Sequence, residues 1–95
     1  MAAYIVFTKE REHDADAMAE YAGKARAAGA GHPIKPLAFY GAIETLEGPE
    51  AAGAVIVEFP TMEDARAWYN SPAYQEARAH RFQGADYRVF LTQGV

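Results

Sequence analysis

One stretch constrains the fold more than any other: Glu58-Phe59-Pro60-Thr61-Met62-Glu63-Asp64-Ala65-Arg66-Ala67-Trp68-Tyr69-Asn70-Ser71-Pro72-Ala73-Tyr74. Residues 54–59 form a β-branched, apolar run of strand length, and Pro60, which has no N–H for a ladder, ends it. Thr61 stands three residues before Asp64, so its hydroxyl can accept from a free first-turn N–H, while Glu63 and Asp64 complement the positive end of the helix dipole. Ala65, Trp68 and Tyr69 then share one helical stripe. Pro72 disfavours a helical Ser71 and so breaks this helix; Ser71 caps the next one, with Pro72 in its first turn.

The same reading carries along the chain. Residues 3–8 form a first strand that is apolar on both faces, and Asp14 or Asp16 caps a helix that presents Met18, Tyr21, Ala22 and Ala25 on one side and closes at Gly29. Glu20 and Lys24 are expected to pair across one turn of its solvent face. The glycines of residues 29–33 follow a helix end rather than precede a helix start, so they terminate a helix and do not cradle phosphate. Residues 37–46 predict a long second strand with a bulge at Gly41, and residues 47–53 a turn-rich hairpin loop. A helix from Ser71 to about Gln83, ended by Gly84, precedes a last strand over residues 86–92. Strand, helix, strand, strand, helix, strand predicts one α+β domain over residues 1–95, with an antiparallel sheet and its helices on one face.

The strand ending in Glu58-Phe59-Pro60, the helix pair carrying Ala65, Trp68, Tyr69, Ser71 and Tyr74, Arg81 beyond it and the upstream turn Leu46-Glu47-Gly48 together resemble a bacterial family of small proteins. That family is a domain of unknown function with a ferredoxin-like, dimeric α/β-barrel fold. The resemblance covers nearly the whole chain and implies a homodimer, but no activity.

Charge and composition narrow the function classes. Thirteen acids against nine bases, interspersed, give a net charge of −4 and no basic stripe, which argues against nucleic acid and anionic membranes as partners. The chain has no cysteine, so disulfides, thiolate metal sites and cysteine nucleophiles are excluded. His13, His32 and His80 lie in separate elements without ligand spacing, so neither a metal nor another cofactor is expected. With no leader-like start and no long apolar run, the cytoplasm is the expected location.

Three strands that are apolar on both faces leave a second sheet face for another subunit to cover. An even hairpin register, with Glu44 opposite Ile56 and Ala42 opposite Glu58, would put Tyr40, Glu44 and Glu58 on that face, the two carboxylates about 7 to 8 Å apart. Tyr74 or Arg81 would reach the rim of the resulting cavity from the last helix. The expected function is binding of a small organic molecule there. The alternatives are a cofactor-free isomerase or monooxygenase acting on a small aromatic or polyketide-like substrate, suggested by fold analogy, and an inert structural dimer.

Overall fold

Alternation along the strands decides which face of the sheet the helices cover. The computed structural model describes residues 1–95 and contains β1 (Ala3–Glu12), α1 (Ala15–Ala28), β2 (Lys35–Phe39), β3 (Gly53–Phe59), α2 (Met62–Tyr69), α3 (Pro72–Gly84) and β4 (Ala85–Gln93). In β1, Ala3, Ile5 and Phe7 are buried and the residues between them are not; in β3 the buried set is Gly53, Val55, Val57 and Phe59. The registers Ile5↔Val57 and Phe7↔Val55 bring these two sets onto one face, and Ile5↔Leu91 with Phe7↔Val89 add β4 to it. This face meets Tyr21 of α1, Ala65 and Trp68 of α2 and Tyr74 and Ala77 of α3 in one core. All three pairings are antiparallel, in the order β2-β3-β1-β4, which is the ferredoxin-like arrangement with α2 added before the second long helix.

The caps follow the local chemistry. Asp14 accepts from the N–H groups of Asp16 and Ala17, Thr61 from Asp64 and Ser71 from Tyr74. Trp68 lies edge-on to Phe7 at 6.4 Å between ring centres, tilted against Phe59 at 5.6 Å and against Tyr74 at 4.2 Å, so one indole joins sheet, α2 and α3. Gly84 closes the contact between the two long helices: a Cβ there would stand 2.8 Å from Met18 Cγ, and its carbonyl accepts from the N–H groups of His13 and Asp14.

The first helix closes at Gly29 as expected, with a right-handed φ of −72° there and the left-handed residue of the turn at Gly31, φ +80°. Three local expectations are corrected. Lys24 does not pair with Glu20; it reaches Glu76 of α3 at 3.3 Å. The second strand spans Lys35–Phe39 rather than residues 37–46, and its irregularity falls between Pro36 and Ala38, not at Gly41. The cause of the early stop is Tyr40, which donates its N–H to Ala54 O and then turns left-handed, with φ +51°, so residues 41–52 leave the sheet. No helix is long and apolar enough to cross a membrane.

Candidate functional site

The observed register separates the residues expected to share one face. Glu58 pairs with Lys35, Ile56 with Ala38 and Val55 with Phe39, so Glu44 and Ala42 have no place in the ladder. Glu44 is exposed in the loop after β2, and the two carboxylates are not cross-strand neighbours. Glu58 is half-buried on the face away from the helices, in register with Tyr4 of β1, and makes no ion pair or side-chain hydrogen bond. Tyr40 goes to the other face. Its ring lies over Gly53, where a Cβ would come within 3.0 Å of Tyr40 Cδ1, and its hydroxyl meets that of Tyr87. Tyr87 stands two residues before Val89 on β4 and therefore faces the helices.

Tyr40, Tyr74 and Arg81 thus belong to one region under α1 and α3. Arg81, in the last turn of α3, is only 2% exposed. Its guanidinium carbon stands 5.9 Å from the ring centre of Phe7, 5.8 Å from that of Tyr21, 5.2 Å from that of Phe82 and 5.1 Å from that of Tyr87. Each distance is within cation–π range. No carboxylate lies within ion-pair distance of it, and its Nε makes no hydrogen bond. Behind it, the hydroxyls of Tyr21 and Tyr74 share a hydrogen bond of 2.9 Å.

The acids nearest this end of the sheet are engaged elsewhere. Glu12 holds Lys9 at 3.1 Å, and Asp86 holds Arg11 at 3.3 Å and His13 at 3.1 Å. Lys9 also sits 5.3 Å from the ring centre of Tyr40. Burial raises the Tyr21, Tyr74 and Tyr87 hydroxyls above the ordinary tyrosine value; the Tyr74 phenol adds to the rise at Tyr21 and the Tyr40 phenol to that at Tyr87, while the Arg81 charge opposes it at all three. The phenols are therefore neutral donors at physiological pH. A fixed positive charge surrounded by neutral O–H groups and aromatic faces can bind or stabilise negative charge on a planar molecule.

Tyr21 and Tyr87 complete the group formed with the candidate residues Tyr40, Tyr74 and Arg81. Tyr87 was legible as an in-phase partner of Val89 and Leu91, and Tyr21 as the large residue of the first helix's apolar stripe. Two surface depressions lie elsewhere. One, of about 530 Å³, is an open dish over Asp16, Ala19, Glu20, Gly23 and Lys24. The other, of about 220 Å³, is lined by Ile5, Arg66, Tyr69, Asn70, Val89 and Leu91.

Solved structures of the same fold are known. The chain is similar to the RPA0582 protein of unknown function from Rhodopseudomonas palustris, at 22% identity and a TM-score of 0.72, over 99% of this chain and 82% of that one. It is also similar to a dimeric ferredoxin-like protein of unknown function from Thermobifida fusca, at 17% identity and a TM-score of 0.67, over 99% and 92% of the two chains. SnoaB, a cofactor-independent oxygenase from Streptomyces nogalater, shares the fold at 9% identity and a TM-score of 0.63, over 99% and 92%. No curated protein matches the sequence. The fold and the match of residues 2–95 to one family model agree with each other, and the chain belongs to the family described as the domain of unknown function DUF1330.

Proposed function

We propose that the protein is a cytoplasmic homodimer that holds a small organic molecule between its helices and its sheet, at the end where Tyr40, Tyr87 and Arg81 meet. The observation that carries this reading is the backbone of Tyr40. An aromatic residue at φ +51° is uncommon, and such strain persists where the surroundings over-determine it, most often at ligand clamps and active sites. Here the surroundings are specific: Gly53 leaves room for the ring, Lys9 lies over it and Tyr87 meets its hydroxyl. Tyr40 is 38% exposed, so it stands between solvent and the buried Arg81 group as the residue a ligand would displace on entry. Tyr74 and Arg81 form the inner wall. Glu58 looks to the opposite face and belongs to the subunit contact, and Glu44 stays outside both.

A cofactor-free isomerase or monooxygenase is the competing reading, and the SnoaB fold is consistent with it. Such chemistry on a carbon acid needs a proton acceptor. The phenols here hold their protons and the adjacent acids are paired with cations, which favours binding over turnover.

Thermal-shift screening of small aromatic and polyketide-like compounds tests the proposal, with Tyr40→Gly as the control. Glycine adopts the same φ without strain and removes the ring. We expect a saturable ligand for the native protein and weaker binding by Tyr40→Gly in an otherwise folded protein. Equal affinity in the two proteins, or no ligand at all, would remove the basis for the site.

A further inference from the structure

We infer that the occupant of this site is a planar organic monocarboxylate, received by the guanidinium of Arg81; the inference rests on the small-molecule reading above and specifies its chemistry. The argument is a count of donors and acceptors. Arg81 brings five N–H donors and no acceptor, and it is buried with its Nε unbonded. Each tyrosine pair, Tyr21 with Tyr74 and Tyr40 with Tyr87, contains two hydroxyl hydrogens and uses one of them in its mutual bond. Against these donors the surrounding side chains offer no carboxylate, because Glu12 and Asp86 are held at the rim by Lys9, Arg11 and His13.

Buried donors in excess are satisfied by a ligand rich in acceptors, and a buried cation without a counter-ion by a ligand with negative charge. A carboxylate supplies both and matches the guanidinium fork with two parallel hydrogen bonds. One charge suffices, since Arg81 is the cation enclosed by the group and Lys9 is already paired with Glu12. The rest of the ligand lies among the faces of Phe7, Tyr21, Phe82 and Tyr87, which suit a flat apolar body. With the anion in place, Tyr40 need not return to its hydroxyl contact with Tyr87, and that phenol hydrogen becomes available to the carboxylate.

The test compares sodium benzoate with benzamide, which has the same shape and no charge. Calorimetric titration of the native protein should give saturable benzoate binding about 10- to 100-fold tighter than that of benzamide, the range expected for the second guanidinium hydrogen bond that a carboxylate accepts and an amide, with its single oxygen, does not. In a nitrogen-15 NMR titration the Arg81 Nε–H resonance should move with benzoate and stay in place with benzamide. Arg81→Met should lower benzoate affinity to the level of benzamide. If that variant fails to fold, Tyr87→Phe, at a half-buried position, should weaken benzoate several-fold without a change in melting temperature. Absence of benzoate binding, equal affinity for benzoate and benzamide, an unmoved Arg81 resonance at benzoate saturation, or unchanged benzoate binding in Tyr87→Phe would overturn the inference. Equal binding of both probes, weakened for both by Tyr40→Gly, would overturn the anion specificity and leave the small-molecule site standing. Failure of both probes together with an empty compound screen would remove the site as well.

Discussion

Trp68 and Ser71 are three residues apart and support the fold by different physics. Trp68, with 4% of its surface exposed, contacts Phe7, Phe59 and Tyr74, so Trp68→Ala removes the largest side chain at the junction of sheet and helices. The expected cost is about 3 to 5 kcal/mol. Ser71 accepts from Tyr74 N–H at 3.3 Å and donates to Trp68 O at 2.7 Å, a cap and a turn closure whose loss in Ser71→Ala should cost about 1 kcal/mol. Urea midpoints of the two variants measure the difference, and a reversed order would mean that Ser71 does more than join α2 to α3. Both roles were legible from the sequence, because a cap and an apolar stripe are local patterns. The role of Arg81 was not. It is polar, it sits near the end of a helix, and nothing in the spacing of its neighbours reveals that Phe7, Tyr21 and Tyr87, from three other elements, surround it.

At the scale of elements, α1 and α3 are joined by the Tyr21–Tyr74 hydrogen bond and by an edge-to-face contact of the two rings at 6.3 Å. Burial raises both hydroxyls above the unfolded tyrosine value of 10.0. A group whose folded-state pKa is raised keeps its proton longer in the folded state, so its stabilisation is complete below about pH 10 and is lost as pH rises beyond that. Stability should therefore be insensitive to these phenols near neutral pH and fall steeply in alkali, with a shallower fall in Tyr21→Phe. Urea midpoints across the alkaline range check this; identical slopes would mean that the phenols ionise as readily folded as unfolded. The element order was also readable in advance, since every strand except β2 is bounded by its own polar or turn-forming residues. In β2 the apolar run continues through residues 37–46 and gives no stop signal. The stop comes from the fit of the Tyr40 ring over Gly53, thirteen residues away in sequence, and the shift in register that separated Tyr40 from Glu58 follows from it.

For the whole molecule, the sheet face away from the helices carries Tyr4, Val6, Ile56 and Phe90, the last 48% exposed. An apolar face of this kind is expected to be covered by a second copy, and the Thermobifida fusca protein of the same fold is dimeric. Light scattering at micromolar concentration should give a dimer mass, as an interface of more than about 1,000 Å² would sustain. Phe90→Glu should shift the mass to a monomer, whereas Glu58→Gln should leave ligand affinity unchanged because Glu58 lies across the sheet from Arg81. A folded native monomer would defeat the first expectation, and a weakened ligand the second.

Lys35, Pro36 and the irregularity before Ala38 lie along the outer strand of the sheet, β2, whose free side pairs with nothing in the chain. A proline without an N–H, a charged lysine and a broken register make a poor template for an incoming β-strand. Further chains are therefore disfavoured from extending the sheet sideways through this border, which guards that edge against fibrous growth and leaves the broad apolar face as the surface better suited to a second copy.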